Sequence, residues 1–313
     1  MVNRLAKTLG WCSLILIGLV LMIFFAPDLD RHALELTYAQ APSQFIEVKG
    51  LRVHYRDTGD KLAPAIVMLH GFGSSLHTWD EWSTALEQDH RVIRLDLPGF
   101  GLTGESPDHD YSDAADVERL SHFLTALGVS KCLMVGHSMG GRIAWNFAST
   151  HPDQVVRLVL MAPDGFPVRG QKLGEKPYDF GPLANVIQYV LPKFLVKKSL
   201  EPAFYNASGI SDGLLNRYND LLRAPTVRSA ILDRMRQTVN SDPVERLQRI
   251  TAPTLLLWGK NDLMIPSSNS QDYQKALKHS QTVIVPKASH LLQEENPQLG
   301  LAHVLEFVNS QVH

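Results

Sequence analysis

Cysteine is nearly absent. The 313 residues include two, Cys12 and Cys132, far apart and in unlike contexts. Two isolated thiols give no disulfide framework and no cysteine metal site. Neither has an activating neighbour, so both read as small apolar residues. A charge excess is lacking too. Thirty Lys and Arg against 32 Asp and Glu leave a formal net charge of -2. That balance removes the basic surface a nucleic-acid partner would need. No internal repeat, low-complexity tract, phosphate loop or metal-ligand constellation is present. "GFGLTG" (99–104) does not fit the dinucleotide fingerprint. What the chain does have is hydrophobic content, 44%. That suffices for a full core in one large domain carrying an insertion.

One long apolar run stands out. Arg4 and Lys7 precede "LGWCSLILIGLVLMIFFA" (9–26), which carries no charge. As a helix it would reach about 27 Å, close to the hydrocarbon thickness of a bilayer. The apolar part of a cleaved signal peptide is shorter, about 7–15 residues. Cleavage just after the run would also place Phe24 where a small residue is wanted. The downstream Ala39-Gln40-Ala41 is cut off from the run by Asp28, Asp30, Arg31, His32 and Glu35. The expectation is a retained transmembrane signal anchor over residues 1–26, with the membrane as partner. Positive charge on its short side puts the N-terminus in the cytoplasm and the body on the periplasmic-type side. Residues 27–43 read as a linker.

From residue 44 the pattern changes. "FIEVKGLRVHYRDTG" alternates around Lys49-Gly50, a hairpin signal. Buried strands then alternate with helices: strands at 65–71, 90–99, 131–138, 155–163, 252–259 and 281–286, and helices near 78–88, 113–127, 139–150 and 297–310. Near-continuous apolar strands between helices imply an α/β domain with a parallel sheet covered on both faces. The alternation stops over 165–248, where helical pieces are broken by Pro and Gly. The expected division is a core of 44–164 and 249–313 with a helical cap, 165–248, inserted after the sixth strand.

"VGHSMGGRIAW" (135–145) places Ser138 at a strand-to-helix switch between Gly136 and Gly140. A sharp turn there needs small neighbours and leaves the serine projecting above the sheet edge. The helix behind it points N–H groups and a positive dipole end at the site. Gly-x-Ser-x-Gly alone also occurs in incidental turns, so partners must be found. A serine hydroxyl needs a base, and the base an orienting acid. Asp262 follows one late strand and His290 the next, in the chain order Ser, Asp, His. Asp164, in "MAPDGF", is the competing acid. The N–H groups of Met139 and of Phe72, in "HGFGSS", are the candidate oxyanion donors. His70 and Asp96 read as loop-bracing residues, and Trp145 as core.

"HGFGSS", "DLPGFG", "GHSMGG", "GKNDLMIP" and "ASHLLQEENP" stand together in an order that resembles the α/β-hydrolase superfamily, over about residues 45–311. The resemblance implies an α/β-hydrolase fold: a mostly parallel eight-stranded sheet flanked by helices. It also implies the triad Ser138–Asp262–His290, the Phe72 and Met139 oxyanion hole, and no cofactor. The dehalogenase and epoxide hydrolase branches use an aspartate nucleophile, so Ser138 argues against both. Esterases, monoacylglycerol-type lipases, carbon–carbon-bond hydrolases and haloperoxidase-like perhydrolases share the remaining motifs. Serine ester hydrolysis of a small-molecule, hydrophobic or lipid-like substrate is the leading expectation. A carbon–carbon-bond hydrolase is the rival, and a non-catalytic binding module the rival from another class.

Overall fold

The computed structural model describes residues 24–168, 171–174 and 188–310, with positions 11, 18 and 181. The expected anchor, 1–26, lies almost wholly outside them. Among the described residues, no helix is long and apolar enough to cross a membrane.

The core is one eight-stranded sheet in the order β1-β2-β4-β3-β5-β6-β7-β8. Its strands are β1 (Ser43–Val48), β2 (Leu51–Thr58), β3 (Ala65–Leu69), β4 (Arg91–Leu95), β5 (Cys132–His137), β6 (Val155–Met161), β7 (Thr254–Gly259) and β8 (Ser280–Val285). The β1–β2 hairpin forms where the alternation predicted it. Lys49 and Gly50 both take positive φ, 51° and 77°, the two-residue turn whose twist matches paired strands. β2 runs antiparallel to β4, and from β4 to β8 every pairing is parallel.

Alternate residues of the parallel strands feed two apolar layers, because side chains point to opposite faces with period two. Ile66 and Met68 of β3 join Trp79, Trp82, Val304 and Phe307 on one face. Val67 and Leu69 join Phe123, Phe147, Trp145 and Tyr273 on the other. Helices α2 (Asp80–Leu86) and α11 (Pro297–Asn309) cover the first face; α3 (Asp113–Ala126), α4 (Met139–Thr150) and α9 (Ser270–Ala276) cover the second. Coverage on both sides is why β5 and β7 are buried at every residue.

Between β6 and β7 the chain leaves the sheet. This insert carries α5 (Lys193–Leu200), α6 (Asp212–Leu222), α7 (Val227–Gln237) and the short α8 (Val244–Leu247). Its Val196, Leu200, Phe204, Leu215 and Tyr218 form an apolar cluster with Leu291, which follows β8. A last short helix, α10 (Leu292–Glu295), follows β8.

The stretch 27–43, expected to be a linker, contains a helix, α1 (Arg31–Tyr38). Asp30 caps it by accepting from the Ala33 N–H at 2.9 Å. Leu34 is its one buried residue, packed with Leu102, Leu221, Ala224 and Val227. A single buried position leaves no periodic stripe to read, and that is why the helix escaped the sequence pattern.

Candidate active site

Ser138 joins β5 to α4 with φ 53° and ψ -117°. For a non-glycine residue such a backbone costs about 1–3 kcal/mol and persists only where surroundings enforce it. Here they do. The Ser138 N–H donates to the Met161 carbonyl at 2.9 Å, while its own carbonyl accepts from Asp164 N at 2.9 Å and Arg142 N at 3.1 Å. The flanking glycines are needed for close approach. A Cβ on Gly136 would stand 2.5 Å from the Gly140 carbonyl oxygen and 2.7 Å from Gly141 Cα. One on Gly140 would overlap the carbonyls of Leu69 and His70. Between Cys132 and Ser149, Ser138 is the only residue that is not buried.

Asp262 follows β7 and His290 follows β8, and their loops are stitched together. Lys260 N donates to Val285 O at 2.8 Å, and Asn261 N to Ala288 O at 2.9 Å. His290 Nδ1 lies 2.7 Å from Asp262 Oδ2. Both side chains are buried, at 5% and 0% exposure. Asp262 Oδ1 accepts from the N–H groups of Met264 (2.8 Å) and Ile265 (2.9 Å). A carboxylate facing these donors makes His290 Nδ1 the protonated nitrogen and leaves Nε2 as the acceptor. His290 and Ser138 line the same cavity, of about 420 Å³.

Asp164 also lines this cavity, but it faces Arg142 Nη1 at 3.5 Å and is 37% exposed. Its carbonyl, not its carboxylate, is the structural contact, accepting from Trp145 Nε1 and the Tyr273 hydroxyl, each at 2.9 Å. The imidazole of His290 is bonded to Asp262 and not to Asp164. Phe72 and Met139 both reach the cavity. Among the described residues, neither backbone N–H is engaged by a protein acceptor.

The two bracing residues sit beneath. His70 is fully buried, its Nδ1 2.8 Å from Gly71 O, and its Nε2 accepts from Leu97 N at 2.9 Å. Burial holds it below the ordinary histidine pKa. Asp96, also fully buried, accepts from Leu76 N (2.7 Å) and Leu102 N (2.8 Å) and pairs with His54 Nδ1 at 2.8 Å. Burial opposes its charge, but His54 and the other histidines around it hold its pKa well below the carboxylate range.

Sequence patterns did not reveal the far wall of the cavity. Arg142 forks onto Asp113 at 2.7 and 3.0 Å and also donates to Val239 O at 3.0 Å. Arg246 shares Asp113 at 2.9 Å. Arg234, on α7, forks onto Asp116 at 2.6 and 2.9 Å, with both side chains buried. Burial works against the Arg142 charge, and Asp113 and Asp164 more than offset it, raising its pKa. One signal was available: Arg142 lies four residues after Ser138, hence on the same face of α4. The partners come from α3 and the insert, and no local pattern links them. Among the described residues, no group of three metal-ligating side chains comes together.

Comparison with known proteins gives the family. Residues 64–297 match the family described as alpha/beta hydrolase fold. Epoxide hydrolase 3 of Xenopus tropicalis is 30% identical over 267 residues, 80% of this chain and 72% of that protein. The 2-hydroxy-6-oxo-6-phenylhexa-2,4-dienoate hydrolase of Burkholderia cepacia is 28% identical over 286 residues, 85% of this chain and 96% of that enzyme. Among solved structures, a membrane phospholipase A described as a bacterial virulence factor superposes with a TM-score of 0.75 at 26% identity, covering 97% of this chain and 98% of its own. The chain belongs to the alpha/beta hydrolase fold family, and it is a hydrolase.

Proposed function

We propose that this hydrolase cleaves carboxylic esters through an acyl-enzyme formed on Ser138. The observation that carries the reading is the 2.7 Å His290–Asp262 pair opening onto the cavity that Ser138 also lines. His290 Nε2 takes the Ser138 proton as Oγ attacks the carbonyl carbon. The tetrahedral oxyanion forms against the N–H groups of Phe72 and Met139, aided by the N-terminus of α4. His290 then protonates the leaving alcohol. Water activated by the same imidazole releases the acid and restores Ser138. Asp262 holds the tautomer and stabilises the imidazolium. Asp164 has no part in the proton transfers.

The epoxide hydrolase likeness is met by a serine at the turn where that branch carries a carboxylate, and this weighs against epoxide opening. The likeness to a phospholipase favours an ester, and a lipid-like one. We read 165–248 as a cap whose residues, such as Arg234 and Val239, roof the cavity. We read residues 1–26 as a retained anchor holding the body on the non-cytoplasmic side. A second reading is cleavage of a carbon–carbon bond in a vinylogous diketone. Its support is the Burkholderia cepacia relative and the charged Arg142–Asp113 wall.

The test is a substrate panel with active-site labelling. Wild-type protein should take up a serine-directed phosphonate and turn over p-nitrophenyl esters, and Ser138→Ala should do neither. Faster turnover of vinylogous diketones than of any ester would establish the second reading. Folded wild-type protein that resists the phosphonate would point to a binding module instead.

A further inference from the structure

Where the described chain begins, it is bonded to the insert. Phe25 pairs with Val190 in an isolated antiparallel bridge, and Ala26 N donates to Tyr189 O at 2.9 Å. The Phe24 ring meets the Phe194 ring edge-on, with centroids 6.0 Å apart. Helix α5 follows at once, and it buries only Val196 and Leu200. Its other face is open: Phe194 is 54% exposed and Leu195 44%, beside Phe25 at 57% and Tyr189 at 52%. Isolated exposed apolar residues are ordinary, but a cluster of this kind marks an interaction surface.

The charge around the cluster is mostly positive. Lys193, Lys197 and Lys198 are exposed on α5 itself. Arg223 donates to Pro27 O at 3.0 Å, and Arg228 reaches Asp28 at 2.6 Å. Of the lysines, Lys198 is partly offset by Glu201 at 2.8 Å, and Lys193 donates to Asn216.

We propose that this face of the insert, centred on Phe25, Tyr189, Phe194 and Leu195, rests on the surface of a bilayer containing anionic lipid. The proposal depends on the anchor reading of residues 1–26. The uncharged run ends at Ala26. If it crosses a bilayer, Phe24 stands at the boundary, and the 6.0 Å ring contact brings Phe194 to the same depth. A short amphipathic helix in that place buries its apolar side about 5–10 Å into the headgroup region. Its lysines extend toward lipid phosphates, and each basic residue near an anionic surface improves the association about fivefold. A second copy of the chain is the poorer occupant. A twofold contact is self-complementary, so α5 against α5 would set lysines against lysines.

The experiment uses the full chain reconstituted into phosphatidylcholine vesicles with and without phosphatidylglycerol. Cys12 is replaced by alanine. Cys132 stays, since burial pushes its thiol up to about 12 and keeps it unreactive. A bimane fluorophore is placed on Leu195→Cys or, as control, on Leu62→Cys, a 94% exposed site in the turn before β3, at the end of the sheet away from Ser138. Lipids with a doxyl group on the acyl chain act as quencher. The 195 probe should be quenched several-fold more than the 62 probe. Phosphatidylglycerol should increase the difference, and the K193Q/K197Q/K198Q variant should abolish that increase. Equal quenching at the two sites overturns the proposal. So does shielding of the 195 probe that grows with protein-to-lipid ratio without doxyl quenching, which would mean contact between copies. Co-sedimentation with carbonate-washed vesicles tests the anchor separately, and Ser138→Ala protein should give the same quenching whatever the chemistry of the site.

Discussion

Replacing Asp262 by asparagine changes one atom facing His290, and the structure dictates which way the new amide must turn. Asp262 Oδ1 accepts from Met264 N and Ile265 N at 2.8 and 2.9 Å. An asparagine that keeps its oxygen there aims its NH₂ at His290 Nδ1. Two donors cannot bond, so the imidazole shifts its proton to Nε2, the nitrogen needed to accept from Ser138. Restoring the productive tautomer would turn the NH₂ toward two N–H groups and forfeit both bonds, each worth about 1 kcal/mol. The unproductive form therefore dominates. The expected loss in kcat is about 10⁴-fold, equivalent to about 5 kcal/mol of barrier. KM should hardly move, because Asp262 is not part of the cavity lining. The assay is steady-state hydrolysis of a p-nitrophenyl ester, with circular dichroism melting to show that the fold is kept. The companion Asp164→Asn should lose less than about tenfold, since among the described residues its carboxylate meets only Arg142, at 3.5 Å. An Asp262→Asn enzyme with more than a tenth of wild-type kcat, or a larger loss from Asp164→Asn, would refute the reasoning.

Other outcomes follow from the same packing. Gly140→Ala drives a methyl into the carbonyls of Leu69 and His70 and should cost about 1–3 kcal/mol or more in urea denaturation; Gly73→Ala, with open space but φ +69°, should cost less. Arg234→Leu strands buried Asp116 and should destabilise by about 3–5 kcal/mol, while the double variant with Asp116→Leu should recover most of the loss. Acid should weaken the fold through His77, which burial, reinforced by Arg56 and partly offset by Asp96, lowers to about 4. Between the ordinary histidine pKa and that value the unfolded chain binds a proton the folded one refuses. Stability is therefore full above about pH 6.5 and falls toward pH 4, by up to about 3 kcal/mol. A urea midpoint equal at pH 7 and pH 4.5, or an undiminished shift in His77→Asn, would contradict this.

The sheet and the Ser138 turn were legible because both rest on short-range rules. Near-continuous apolar runs, and one alternating hairpin, marked the strands, and glycines on both sides of Ser138 marked the sharp turn. Asp262 and His290 could be picked out because each follows directly on a late strand, so that strand position stands in for spatial position. Helix α1 was not legible: Leu34 alone is buried, and its fit depends on Leu221 and Val227, 187 and 193 residues away in sequence. The ion-paired wall was hidden for the same reason. Arg234 has meaning only beside Asp116, and nothing local to either residue announces the other.

The bonds between the start of the described chain and the insert have a mechanical consequence. Tension applied from the N-terminal side would first meet the insert rather than the sheet. It passes into Tyr189, Arg223 and Arg228, which hold the backbone of residues 26 and 27. Arg228 and Arg234 share one helix, about 9 Å apart along its axis. A pull upstream therefore loads α7, the element that carries Arg234 and Met235 into the cavity wall. Further along, α1 joins Tyr38 to Asp220 of the insert and Glu35 to Arg52 of β2, so the sheet takes up load only beyond these first contacts. A pull from that end would be felt first in the cavity wall that α7 supplies.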